Sequence, residues 1–102
     1  MRSKYEIKAQ KQLEAEGYRV DNKAGMSRFA KNRDFWNLFD LVCFRAGEGV
    51  VRWISVKGHQ GIPSEHRRAI EQFRLPSGNQ KEIWYWPLRF KKQSGFIKKI
   101  IN

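Results

Sequence analysis

Two apolar runs near the middle of the chain, Leu38–Arg45 and Val50–Lys57, flank the link Ala46-Gly47-Glu48-Gly49. Paired glycines between apolar, β-branched runs predict a β-hairpin. Two polar residues break the apolar pattern: Asp40 in Phe39-Asp40-Leu41-Val42, and Lys57 at the end of Trp53-Ile54-Ser55-Val56-Lys57. A carboxylate and an ammonium in core-type strands need partners, because neither is buried cheaply alone. A metal site is one arrangement that supplies them. An acid on one strand and an acid-x-lysine segment on the next can hold a divalent ion and a water beside a phosphate.

The hairpin is preceded by Ser3-Lys4-Tyr5-Glu6, which fits a capping box and predicts a helix from about Lys4 to Glu16, ended by Gly17. At about 100° per residue, Tyr5, Ala9 and Leu13 form its inward stripe, and Lys4, Lys8 and Lys11 point away. Glu6 projects within about 20° of that stripe, so it either caps the helix or faces the protein body. Tyr18–Asp21 reads as a short alternating strand. The connection from Asn22 to Trp36 carries Lys23, Arg28, Lys31 and Arg33. Connections beyond about 12–15 residues are usually functional or disordered, so this one either meets backbone phosphates or is a solvated loop.

Beyond the hairpin, Gly58-His59-Gln60-Gly61 is a turn, and Pro63-Ser64 starts a second helix with Ser64 as its N-cap. His66, Ala69, Ile70 and Phe73 recur at helical spacing as a core-facing stripe, with Arg67, Arg68 and Arg74 off it. After the turn Pro76-Ser77-Gly78-Asn79, the run Glu82–Trp86 reads as a strand ended by Pro87. Lys91–Gly95 turns the chain into a last strand, Phe96–Ile101. The predicted order, helix, three strands, helix, two strands, defines an α/β fold: a single small domain with a central mixed sheet flanked by helices.

Composition adds a partner. The 102 residues suit one domain, and an aromatic share of 14% with four tryptophans argues for a packed globule despite 30% charged residues. Lys and Arg number 21 against 10 acids, a formal charge of +11. A folded domain this small and basic meets a polyanion. The chain has no 18-residue apolar run and no basic amphipathic helix with a bulky apolar face, which argues against a membrane partner. Its first residues lack the apolar stretch of a signal peptide, and Cys43 is its only cysteine, so the expected setting is the reducing cytoplasm. Two histidines and one cysteine are too few for a zinc site to be expected.

Phe39-Asp40, Ser55-Val56-Lys57 and the element order together resemble the PD-(D/E)xK nuclease superfamily, and within it the small archaeal and phage Holliday junction resolvases. Phe39 stands where the pattern has proline, and Ser55 where it has the second acid. The resemblance implies a restriction-endonuclease-like domain that hydrolyses phosphodiesters at four-way DNA junctions, in recombination and repair, as a homodimer. It also implies Mg²⁺, with Mn²⁺ as a substitute. Asp40 and Glu6 would be metal ligands with the Val56 carbonyl, and Lys57 would orient the water or offset charge on the phosphate. Lys23, Ser27, Arg28, Lys31 and Arg33 would lie in a DNA-binding loop.

Ser55 leaves three accounts open. It holds a metal-bound water while Asp40 and Glu6 bind the ion; or another acid, Asp34, Glu65 or Glu71, supplies the missing charge; or the domain binds branched DNA without cutting it. A nuclease of the same fold with another DNA substrate is a further alternative. His59 is either a general base or a surface turn residue. Trp84 and Trp86 either stack on bases or belong to the core or a dimer contact.

Overall fold

The computed structural model describes residues 4–22, 36, 38–58, 63–86 and 95–101. Two helices and five strands follow the predicted order: α1 (Lys4–Ala15), β1 (Arg19–Asn22), β2 (Leu41–Phe44), β3 (Val51–Lys57), α2 (Ser64–Gln72), β4 (Asn79–Tyr85) and β5 (Ile97–Ile101). The strands lie in one sheet in sequence order. β1, β2 and β3 form an antiparallel meander; β3 and β4 are parallel, joined by the α2 crossover; β4 and β5 are antiparallel. The sheet is therefore mixed, as the pattern predicts.

α1 buries Glu6, Ala9 and Leu13. It stops where Gly17 enters the left-handed region at φ 95°. The Gly17 amide donates to the Glu14 carbonyl at 3.1 Å, and the Tyr18 amide to the Leu13 carbonyl at 3.0 Å, which also accepts from the Glu16 amide at 3.1 Å, so carbonyls of the last turn are satisfied.

The sheet is buried on both faces. On one, Ala9 and Leu13 of α1 meet Leu41, Cys43, Ile54, Val56 and Trp84. Burial pushes the Cys43 thiol up to about 11, which makes it an inert core residue. Arg52 and Glu82 share this face, as alternation from Ile54 and Trp84 requires. The guanidinium donates twice to the carboxylate, at 2.6 and 2.8 Å. Glu82 also accepts from the Trp84 indole at 2.9 Å and from Gln80 at 2.8 Å. On the other face Ile70 of α2 packs with Leu38, Phe39, Ile83 and Ile101, and Trp53 and Phe73 complete the cluster.

Lys81 on β4 is buried beneath α2. Its ammonium donates to the carbonyls of Ile70 (2.7 Å), Glu71 (3.2 Å) and Phe73 (2.7 Å). The last turn of α2 has no basic residue of its own. A lysine from the adjoining strand therefore caps the helix and meets the negative end of its dipole.

Most element ends shift by a residue or so from the sequence expectation, and some of the shifts have a physical reason. β2 starts at Leu41, not Leu38, because the Asp40 side chain takes over a ladder bond, as described below. β1 begins at Arg19 rather than Tyr18, and β4 begins at Asn79, three residues before Glu82. Ser64 is the first helical residue and not the cap; Pro63 holds the N-cap position with no side-chain bond. Ala69, expected in the inward stripe, is exposed. At about 100° per residue it lies a quarter turn from Ile70, the one fully buried residue of this short helix.

Candidate functional site

The site forms where β2 gives way to Asp40, beside the C-terminal half of β3. The Asp40 amide donates to the Ile54 carbonyl at 2.9 Å, which continues the β2–β3 ladder by one bond. Beyond it the regular ladder gives way, and Phe39 keeps only an isolated bridge. The Val56 amide donates instead to Asp40 Oδ2 at 2.6 Å. The carboxylate thus replaces a main-chain carbonyl, so the strand ends there. Asp40 is 3% exposed, and the bond answers part of the cost of burying a carboxylate.

Main-chain groups of alternate strand residues point to the same side. Because the Ile54 carbonyl and the Val56 amide both serve the β2 side, the Val56 carbonyl also points there, next to Asp40. Lys57 turns its carbonyl the other way, where it accepts from the Trp86 amide at 3.3 Å. Ser55 and Lys57 share the sheet face that carries α2. Ser55 is fully buried and Lys57 half-buried.

His66 of α2 also reaches this point. Its Nε2 lies 3.3 Å from Ser55 Oγ and 3.2 Å from the Leu38 carbonyl. A carbonyl can only accept, so Nε2 carries the hydrogen in this arrangement and the serine oxygen shares it. The pattern places His66 in a core stripe. A polar ring among Ile70 and Phe73 at helical spacing is the signal that marks it, but the partner cannot be read from spacing because it lies on another element.

Glu6 is brought to the same end of the sheet. Tyr5, its neighbour in the first turn of α1, lies against Gly58, where a Cβ would come within 2.9 Å of the Tyr5 ring. Only glycine fits just after Lys57, and the helix start is set down there. Glu6 is buried, as its angular position predicts. Among the described residues, however, no three of His, Cys, Asp and Glu converge.

Two of the three acids considered as substitutes for the missing carboxylate do not serve. Glu65 is exposed, and Glu71 is exposed and paired with Arg67 at 3.3 Å. The third, Asp34, lies outside the described residues, as do Lys23, Ser27, Arg28, Lys31, Arg33 and His59. Trp84 is fully buried in the core and cannot stack on a base. Trp86 is half-buried edge-on to Phe96 at 5.1 Å, with the Lys8 ammonium 4.6 Å from its ring. Lys8 therefore folds over an aromatic side chain, although α1 presents it to solvent.

The Asp40 carboxylate, the Val56 carbonyl beside it and the hydroxyl of the adjoining Ser55 are oxygen donors of the kind hard cations use. One carboxylate among them is too little for a closed protein cage. Mg²⁺ is commonly held by one or two carboxylates with substrate phosphates completing its shell, and these donors fit an ion shared in that way. No helix among the described residues is long and apolar enough to cross a membrane. Comparison with known proteins finds no match: no family model, no curated protein and no solved structure is similar to this chain.

Proposed function

We propose that this domain is a metal-dependent endonuclease with a restriction-endonuclease-like fold that cuts branched DNA, in the manner of the Holliday junction resolvases. The observation that carries this reading is the 2.6 Å bond from the Val56 amide to Asp40, which ties the acid of one strand to the middle of Ser55-Val56-Lys57 on the next. The parallel β3–β4 pair, with Ser55 opposite Ile83 and Lys57 opposite Tyr85, holds the lysine in register beside it. A divalent ion at Asp40 would supply Lewis acidity toward a phosphoryl oxygen. The chain's own residues hold the acid dry and fix Ser55 against His66, and Lys57, on the same sheet face as Ser55, would offset developing negative charge. The formal charge of +11 supplies the attraction to the DNA backbone. Paired cuts across a four-way junction need two sites related by symmetry, which a homodimer provides.

One observation favours a second reading, a module that binds branched DNA without cutting. The position of the second acid is a fully buried serine engaged with a histidine. A panel of labelled four-way junction, flap and plain duplex with Mg²⁺ or Mn²⁺ separates the two. The expected result is junction cleavage that stops when the metal is chelated. Binding without cleavage under both metals would select the second reading, and absence of binding would reject both.

The serine also sets the metal's dependence on substrate. With no acid at position 55, the unaltered protein should bind Mg²⁺ weakly in the absence of DNA. Ser55→Glu adds a carboxylate facing His66. Calorimetry without DNA should show affinity raised by about tenfold, the equivalent of ~1.4 kcal/mol. Unchanged affinity in a variant that keeps its melting temperature would mean that position 55 is not part of the ion's shell.

A further inference from the structure

Trp36 is the largest exposed aromatic side chain among the described residues, with 52% of its surface open. Its backbone is left-handed at φ 53°, a conformation that bulky residues rarely adopt. The ring does not hang free. It lies 4.8 Å from Trp53 and 5.1 Å from Phe73, centroid to centroid. Phe39 backs both of these at 6.2 Å, and the Trp53 indole is fixed by a 2.8 Å bond to Asn79. An exposed indole is thus propped on a rigid aromatic base.

The base stands on the same face as the candidate site. Trp53 and Ser55 are alternate residues of β3, about 6.6 Å apart along the strand. On the far side, Phe73 and Asn79 also line a cleft of about 650 Å³ at the end of α2. The cleft carries Arg74 and Lys81. The Lys81 ammonium is committed to the α2 carbonyls. Burial, and then the charge of Arg74, lower its pKa below the usual lysine value, while Glu71 acts the other way. Glu71 also lines the cleft, but its carboxylate pairs with Arg67, so Arg74 is the charge the cleft offers to an anionic group.

We propose that Trp36 is a stacking platform for an unpaired nucleobase of the bound strand, with the adjoining phosphate directed to Arg74 in the cleft. This rests on the nucleic-acid reading above and narrows it to DNA with an unstacked nucleotide beside the cut site. Stacking suits every base, because each has a π-face, and so the platform selects strand structure and not sequence.

Fluorescence anisotropy tests this with three labelled ligands: a duplex with a single-stranded overhang, the same with abasic sites in the overhang, and a blunt duplex. The unaltered protein should prefer the base-bearing overhang to the abasic one by roughly tenfold. Trp36→Ala should lose that preference and leave affinity for the blunt duplex unchanged, whereas Trp36→Phe should keep most of it. Arg74→Ala should weaken both overhang ligands alike. Equal affinity of the unaltered protein for the two overhangs overturns the proposal without help from any variant. So does a Trp36→Ala loss that is the same on the blunt duplex, or a Trp36→Ala variant that changes only self-association in sedimentation. Binding of no ligand at all would remove the nucleic-acid reading, and this inference with it.

Discussion

Asp40→Asn should stop cleavage while leaving the fold and junction binding in place. The asparagine carbonyl oxygen can still accept the Val56 amide now bonded to Asp40 at 2.6 Å, so the end of β2 is preserved. What is lost is the negative charge. Mutating even the outer partners of metal ligands costs about 10–100-fold, so removing a direct ligand's charge should cost more than roughly a hundredfold. Asp40→Ala should also be inactive, and it should melt earlier. It leaves the buried Val56 amide without its acceptor, at about 1–3 kcal/mol. Gel assays of cleavage and binding, beside thermal melts of both variants, check the pair. Cleavage by Asp40→Asn at the unaltered rate would sink the metal-site assignment.

The largest stability effect should come from the other face of the sheet. Arg52 and Glu82 are joined by two short bonds and nearly dry, with side-chain exposures of 14% and 2%. Removing one member leaves the other charge buried and unanswered, which costs about 3–5 kcal/mol. Glu82→Leu or Arg52→Met alone should therefore lower the melting temperature steeply. The double variant should recover much of the loss, because a well-packed apolar pair replaces a buried ion pair at little cost. A double variant no more stable than the singles would mean that the network through Trp84 and Gln80, rather than the ion pair, holds the region.

Acid should act on the same pair. Burial alone would raise the Glu82 carboxyl, but hydrogen bonds from Arg52, Trp84 and Gln80 outweigh it and hold the pKa below the ordinary 4.5. A carboxyl depressed on folding contributes stability that is full above its unfolded pKa. That contribution declines as the pH falls through the lower, folded value. Urea melts between neutral and acid pH should show this loss in the parent protein and not in the double variant.

The order of elements was readable because each is marked locally. Alternation marks the strands, glycine pairs mark the hairpin, and Gly17 marks the end of α1. Asp40 was readable for a related reason: a charge inside an apolar run must have a use, and here it serves as a ladder acceptor. The features that escaped depend on pairs far apart in the chain. Arg52 meets Glu82 because β3 and β4 run parallel in a particular register, with Arg52 opposite Gln80 and Ile54 opposite Glu82. His66 meets Ser55 only because the crossover lays α2 over β3. Ser64 looked like a cap because its chemistry suits one, but the preceding proline is already extended, at ψ 142°, and takes the boundary itself. The tryptophans separate in the same way. Trp84 and Trp86 look available in a polar, basic chain, yet strand parity turns Trp84 into the core, and the exposed ring is Trp36.

The lysine beneath α2 has a consequence for how the molecule opens. Because Lys81 of β4 fastens the carbonyls of Ile70, Glu71 and Phe73, the helix cannot fray from that end without giving up bonds to the sheet. The strand and the helix should therefore exchange their amide hydrogens together, as one cooperative block. His66 rides on that block. Its ring would leave Ser55 when the whole crossover lifts, so the resting arrangement of the site would be as long-lived as the crossover itself.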